Sequence, residues 1–195
     1  MNKSSVLSVV IRVIDTLEAL SIEYHLGGSF ASTIHGIPRQ TADVDVVVEL
    51  SPTSGKGLVE ALKGDFYVDQ RAVDDAISRR SSFNAIHLAT GFKADFFVMG
   101  RNQFDRVELQ RSVREKIVAD PPTWARVKSA EDVILRKLQW FKEGGRVSER
   151  QWKDVLGVLK TQGDRLDYAY LEEWARRLGL SGLLAKAHSG ESTAD

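Results

Sequence analysis

A glycine-rich turn followed by an acidic, valine-rich segment constrains this chain more than any other stretch. Residues 26–31 read Leu-Gly-Gly-Ser-Phe-Ala, and residues 39–48 read Arg-Gln-Thr-Ala-Asp-Val-Asp-Val-Val-Val. The first pattern is typical of a turn that opens a helix, and the second predicts a strand. Because Asp43 and Asp45 are two residues apart in that strand, their carboxylates point to the same face. The pair is a candidate metal site.

The composition excludes several classes of protein. The 195-residue chain is 43% hydrophobic and 28% charged, as in an ordinary globular protein, and it has no apolar run long enough to cross a bilayer. Near the start, Arg12 and Asp15 interrupt the apolar positions, so no signal-peptide core is predicted and a cytoplasmic location is expected. The absence of cysteine excludes disulfides, thiolate catalysis and cysteine-ligated zinc.

The charge distribution leaves room for a local basic surface. The formal net charge is zero, which excludes a uniformly basic coat for nucleic acid. Between Trp124 and Lys160, however, nine Lys or Arg residues stand against five Asp or Glu residues. That segment is interpreted either as a surface for phosphates or as an ordinary solvated helix face.

Hydrophobic periodicity predicts an α+β chain in two parts. The first part combines helices and strands, and it includes a loop over Pro52–Gly57, a helix or mobile loop over Asp69–Arg80 and a hairpin formed by Phe83–Ala89 and Lys93–Met99. The second part contains only helical patterns. The predicted boundaries are a first domain over 1–120, a helical subdomain over 121–187 and a disordered tail over 188–195.

A third acidic residue strengthens the case for a metal. Asp95 stands in an otherwise apolar strand, where a carboxylate is costly unless it is used. Mg²⁺ prefers hard oxygen ligands, and three carboxylates on neighbouring strands could hold two ions for phosphoryl transfer. Two alternatives stay open: an acidic pair on a solvent-facing strand, and an ion pair between Asp95 and Lys93.

The turn at Gly27-Gly28-Ser29 is a candidate phosphate site. A helix N-terminus presents backbone N–H groups and the positive end of the helix dipole, and the Ser29 hydroxyl adds a further donor. The same residues are also ordinary turn and helix-capping residues.

Taken together, these motifs resemble the nucleotidyltransferase superfamily, which includes DNA polymerase β and the CCA-adding enzymes. The resemblance depends on Gly28-Ser29, on Asp43-x-Asp45 and on Asp95. A further likeness to the toxin-type AbiEii branch depends on these motifs and on the following additional segments: Arg39-x-Thr41, Lys93-x-Asp95, Ser129-Ala130-Glu131-Asp132 leading to Lys137-Leu138, and Arg150-Gln151-Trp152-Lys153-Asp154.

The resemblance implies a reaction and an α+β nucleotidyltransferase fold, in which a mixed sheet with flanking helices is followed by an all-helical subdomain. The expected chemistry is Mg²⁺- or Mn²⁺-dependent transfer of a nucleoside monophosphate from an NTP to an acceptor hydroxyl, with pyrophosphate leaving. The implied catalytic and metal-binding residues are Asp43, Asp45 and Asp95, and the implied nucleotide-binding residues are Gly28, Ser29, Arg39, Thr41, Lys93, Lys137 and Asp154. Arg39 and Lys93 could instead be surface cations, and Asp154 could form an ordinary i,i+4 pair with Arg150.

The resemblance also implies partners. The acceptor would be RNA, such as tRNA 3′ ends, and the protein would be the toxin of a toxin–antitoxin system with an antitoxin as its partner. Two alternatives stay open: a catalytically silent nucleotide-binding protein of the same fold, and a nucleotidyltransferase that modifies small molecules such as aminoglycosides.

Overall fold

The computed structural model describes residues 3–190. Helices and strands alternate in the first two thirds of this range, and helices alone follow. The elements are α1 (Lys3–Ala19), β1 (Tyr24–Leu26), α2 (Gly28–His35), β2 (Asp43–Val48), α3 (Pro52–Leu62), β3 (Phe66–Tyr67), α4 (Gln70–Arg79), β4 (Ser82–His87), β5 (Lys93–Val98), α5 (Gln103–Gln110), β6 (Val113–Val118), β7 (Thr123–Val127), α6 (Ala130–Glu143), α7 (Glu149–Gln162), a 3₁₀ turn (Gly163–Arg165), α8 (Tyr168–Leu178) and α9 (Ser181–His188).

The strands form one mixed sheet. Its seven strands lie in the order β3-β4-β5-β2-β1-β7-β6. The pairs β2/β5 and β1/β7 are parallel, while the other neighbouring pairs are antiparallel. The predicted α+β class with a mixed sheet and a helical C-terminal part is therefore confirmed.

Buried and partly exposed side chains alternate strictly along strand β2. Val44, Val46 and Val48 are buried, whereas Asp43 and Asp45 are partly exposed on the opposite face. Such alternation is the pattern of a strand with one face in a core. The sheet thus carries its acidic residues on an accessible face.

The chain divides into two compact units that do not follow chain order. The first unit comprises the described residues of Met1–Gly27 and Thr41–Val127, and it contains the whole sheet. The second comprises Gly28–Gln40 and the described residues of Lys128–Asp195. Helix α2 therefore belongs with the later helices, although it is flanked in sequence by β1 and β2.

Aromatic and aliphatic side chains form the core of the second unit. Phe141 of α6 packs against Trp152 of α7 with ring centroids 5.2 Å apart, and Leu138 and Leu171 are fully buried. The predicted tail over 188–195 falls mostly on residues 191–195, which lie outside the described residues. In the part of the chain that the structure describes, no helix combines the length and apolarity that a membrane span requires.

The loop predicted over Pro52–Gly57 is wrong, because α3 begins at Pro52. Ser51 caps this helix: its hydroxyl oxygen accepts a hydrogen bond from the Ser54 N–H, and the Ser54 hydroxyl oxygen accepts one from the Ser51 N–H. Proline is well suited to the first helical position, where its missing N–H costs nothing. The segment over Asp69–Arg80, for which the sequence left two alternatives, contains the helix α4.

Candidate functional site

The three predicted metal ligands share the accessible face of the sheet. In the parallel pair formed by β2 and β5, Asp45 lies opposite Asp95 and Asp43 lies opposite Lys93. Neighbouring strands are about 4.8 Å apart, so the register places these side chains side by side. We call Asp43, Asp45 and Asp95 the carboxylate cluster.

Lys93 supplies positive charge to this cluster. Its Nζ donates to Asp95 Oδ2 at 2.7 Å, which is the ion pair that the sequence left open as an alternative. The pKa of Lys93 is raised, chiefly by this hydrogen bond; partial desolvation opposes the rise, and the charges of Asp95, Asp43 and Asp45 add to it. The ammonium is therefore stabilised by all three carboxylates.

Thr41 holds one carboxylate of the cluster in place. Its hydroxyl lies 3.1 Å from Asp43 Oδ1 and 2.9 Å from the Asp43 backbone oxygen. These hydrogen bonds orient the first carboxylate of β2. That Thr41 binds nucleotide stays a prediction.

The carboxylate cluster offers the kind of donor atoms that divalent cations bind. Carboxylate oxygens are the ligands that Mg²⁺ prefers, and it commonly uses one or two of them together with substrate phosphates. Among residues 3–190, no three carboxylate or imidazole groups converge on a point that could hold a metal ion. The donors are present, but Asp95 is held against Lys93 in this arrangement.

Four of the predicted nucleotide-binding residues meet in the second unit. Arg39 binds Asp154 in a bidentate manner, with Nε 3.0 Å from Oδ1 and Nη2 3.0 Å from Oδ2. The same Nη2 donates to the Ser29 hydroxyl, and Lys137 Nζ donates to Asp154 Oδ2 at 2.9 Å. We call Ser29, Arg39, Lys137 and Asp154 the polar cluster; it carries two positive charges and one negative charge.

Two members of the polar cluster are well shielded from solvent, whereas the Arg39 side chain is 27% exposed. The side chains of Lys137 and Asp154 are 4% and 7% exposed. Burial by itself would raise the pKa of Asp154, but the hydrogen bonds and charges of Arg39 and Lys137 outweigh burial and lower the pKa. Asp154 is therefore a carboxylate that stays ionised, and it pairs with these residues rather than with Arg150.

Helix α2 begins at the edge of this cluster. Gly28 has φ +51°, in the left-handed region that glycine adopts without a steric penalty. Ser29 follows in the first turn, and its hydroxyl accepts from Arg39. The N-terminus of α2 thus carries a hydroxyl and a guanidinium next to backbone N–H groups, which is a favourable setting for an anion.

A cleft of about 380 Å³ adjoins Arg39 and Asp154 within the second unit. Its lining combines basic and apolar side chains from α2, the loop that follows and α7: Ser32, Ile37, Arg39, Lys153, Asp154, Leu156, Gly157 and Lys160. The sequence prediction of site residues did not include Ile37 or Lys160. The spacing of Lys153, Leu156 and Lys160 by three and four residues places them on one stripe of a helix, and that signal could have identified this face.

Comparisons with known proteins identify the fold. No protein-family model and no curated protein matches the sequence. The solution structure of the antibiotic-resistance factor ANT(2″)-Ia has a TM-score of 0.58 at 13% identity, with 97% of this chain and 100% of that chain covered. Its crystal structure in complex with adenylyl-2″-tobramycin has a TM-score of 0.60 at 13% identity, with 90% and 98% covered.

A third structure leads to the same fold. An antigenic nucleotidyltransferase-like protein from Paracoccidioides brasiliensis has a TM-score of 0.58 at 16% identity, with 98% of this chain and 95% of that chain covered. At these identities the likeness concerns architecture alone. The chain therefore has the nucleotidyltransferase fold, with a seven-stranded mixed sheet and flanking helices.

Proposed function

We propose that this protein is a nucleotidyltransferase that moves a nucleoside monophosphate from an NTP to an acceptor hydroxyl, with pyrophosphate as the leaving group. The observation that carries the proposal is the register of β2 and β5, which sets Asp45 opposite Asp95 with Asp43 on the same accessible face. Carboxylate oxygens on one accessible face of a sheet are ligands that a divalent cation takes in proteins, so such an arrangement favours a functional explanation.

Each residue has a distinct role in this proposal. Asp43 and Asp45 would hold a divalent cation, and Asp95 would hold a second one and favour deprotonation of the acceptor hydroxyl. When bound, such cations polarise phosphoryl oxygens and stabilise the charge on the leaving oxygen. Thr41 keeps the Asp43 carboxylate oriented through its hydroxyl.

The second unit supplies groups that suit phosphates. Gly28 and Ser29 open α2, where backbone N–H groups favour anions. Arg39 and Lys137 add positive charge, and ion pairs with Asp154 hold these two side chains in fixed positions.

A transfer assay tests the proposed reaction. The full chain is incubated with Mg²⁺, each labelled NTP in turn and total tRNA, and product is detected on a denaturing gel. Asp45→Asn should lower transfer at least about a hundredfold, because it removes a charge that acts in the transition state. Asp75→Asn is the matched control, since Asp75 forms an exposed i,i+4 pair with Arg79 on α4. No transfer by the native protein to any acceptor, or equal transfer by Asp45→Asn, contradicts the proposal.

The acceptor that we propose is RNA, such as tRNA 3′ ends, with the protein acting in the cytoplasm as the toxin partner of an antitoxin. The sequence resemblance described above supports this assignment, and so do the lysines that line the cleft in the second unit. Growth arrest on expression of the native chain, with none from Asp45→Asn, is the expected outcome. Normal growth at equal protein levels contradicts the toxin role.

Transfer to an antibiotic is the second candidate. The likeness to ANT(2″)-Ia, solved with adenylyl-2″-tobramycin, favours it. A panel of aminoglycosides in the same transfer assay separates the two candidates, because only one acceptor class should become labelled. Calorimetry that detects NTP binding, without product from any acceptor, would instead indicate a catalytically silent protein of this fold.

A further inference from the structure

Lys93 lies at the start of β5, within the same patch as the carboxylate cluster. It is opposite Asp43 in the sheet register and two residues before Asp95. Its Nζ is 2.7 Å from Asp95 Oδ2, while 41% of its side chain is exposed. The ammonium is thus bound to the cluster and still has a path to solvent.

An ammonium and a divalent cation compete for carboxylate oxygens. Mg²⁺ binds such oxygens at about 2.0–2.1 Å, whereas the lysine ammonium only donates hydrogen bonds. Two cations held against one carboxylate also repel each other. A metal that uses Asp95 Oδ2 therefore requires that the contact with Lys93 opens.

We propose that Lys93 is an internal counter-cation that holds Asp95 in the metal-free protein and is displaced from it when a divalent cation binds. This inference rests on the proposed function, which assigns the carboxylate cluster to metal. It accounts for the position of Lys93, whose Nζ is 2.7 Å from Asp95 Oδ2 and which lies opposite Asp43 in the register of β2 and β5. Opening the Lys93–Asp95 contact frees the carboxylate to turn toward a metal.

The displaced side chain can move without disturbing the core. Lysine has a flexible four-carbon stem, and the neighbours of Lys93 that are buried, Phe92 and Ala94, have their side chains in the core. The backbone of β5 can therefore stay in place while Nζ leaves Asp95. The displacement lowers the affinity for the metal, because a charge-assisted hydrogen bond must break before the metal binds.

Calorimetric titration with Mn²⁺ alone, without nucleotide, tests the inference in the full chain. Lys93→Met keeps the length of the side chain and removes the charge, so Mn²⁺ should bind about tenfold tighter, the ratio expected for losing one competing charged hydrogen bond. Lys63→Met is the matched control, because Lys63 has a 72% exposed side chain and a surface pair with Glu60. The control should bind Mn²⁺ as the native protein does.

The outcomes separate the inference from the proposed function. If the native protein binds Mn²⁺ and Lys93→Met binds it equally or more weakly, the competition is absent and the inference is overturned. If neither binds Mn²⁺, the metal role in the proposed function fails, and the inference fails with it. Should Lys93→Met not fold, Lys93→Gln gives the same test, and thermal unfolding monitors the fold of each variant.

A second measurement follows the displacement directly. The side-chain ammonium signal of Lys93, assigned by comparison with Lys93→Met, should report a protected hydrogen-bonded ammonium in the metal-free protein. Added Mg²⁺ should shift that signal and speed its exchange with water. An unchanged signal at a Mg²⁺ concentration that saturates the protein would overturn the proposed displacement.

Discussion

Asp154 is the one carboxylate of the polar cluster, and its two oxygens accept hydrogen bonds from Arg39 and Lys137. Removing one member of a buried ion pair leaves the other without a counter-charge. We expect Asp154→Asn to lower the free energy of unfolding by about 3 kcal/mol, measured by urea denaturation. Asp75→Asn, which removes an exposed pair, should change it by less than about 1 kcal/mol. Equal effects of the two substitutions would show that the cluster does not stabilise the fold.

The same carboxylate predicts a pH dependence. The pKa of Asp154 in the folded chain lies below its ordinary value of 3.8, so ionised Asp154 stabilises the fold. That contribution is complete above the ordinary value and is lost as the pH falls through the lower, folded value. The difference in stability between the native protein and Asp154→Asn should therefore stay constant near neutrality and shrink only below about pH 5. A difference that already shrinks between pH 8 and pH 6 contradicts this assignment.

The sequence identified Asp154 as a candidate site residue, but it did not predict which residues Asp154 pairs with. Helical spacing suggested a pair between Asp154 and Arg150, because i,i+4 neighbours are visible in sequence. The structure joins Asp154 to Arg39, which is 115 positions away, and that pairing depends on how α2 packs against α7. In contrast, Asp43 and Asp45 could be placed on one face from alternation alone, and the ion pair of Lys93 with Asp95 could be foreseen from their spacing.

At the level of elements, a glycine sets how closely α2 approaches α7. A Cβ at Gly36 would lie 2.9 Å from the Ser32 backbone oxygen and 3.0 Å from the Val158 backbone nitrogen. Backbone atoms cannot move aside as the end of a side chain can. The contact between these helices thus requires the absence of a side chain at this position.

Substitution of that glycine tests the packing. Gly36→Ala should destabilise the protein by about 1–3 kcal/mol, because overpacking forces backbone shifts. Gly64→Ala is the control, since a Cβ there would have no neighbour within 4 Å. Both free energies are obtained from denaturant unfolding. A neutral effect of Gly36→Ala would mean that α2 can move away from α7 at little cost.

Element boundaries were harder to predict where local signals conflicted. Pro52, Gly55 and Gly57 together indicated a loop, yet all three lie in α3. Glycine at position 55 leaves room for Ile77 and Val73 of α4, because a Cβ there would lie 2.6 Å from Ile77 Cδ1. Tertiary packing therefore explains a helical glycine that propensity alone disfavours. The long periodic helices of the second unit had no such conflict and were predicted correctly.

For the whole molecule, the order of strands bears on where the chain can be cut. Strand β7 lies between β1 and β6, so a fragment over residues 1–120 lacks the strand that joins β6 to the sheet. We expect this fragment to aggregate or to lose protection of β6 amides in hydrogen exchange. A fragment over residues 1–127 should retain more sheet by circular dichroism. Equal behaviour of the two fragments would support a first domain that ends at residue 120.

The discontinuous second unit has a consequence for synthesis on the ribosome. Helix α2 leaves the ribosome long before α6 and α7, which are its packing partners and begin about 100 residues later. At roughly 5–20 residues per second, the nascent helix waits about 5–20 s for them. Until α6 and α7 emerge, the buried side chains of α2, such as Ala31, therefore lack the helices against which they pack in the folded unit.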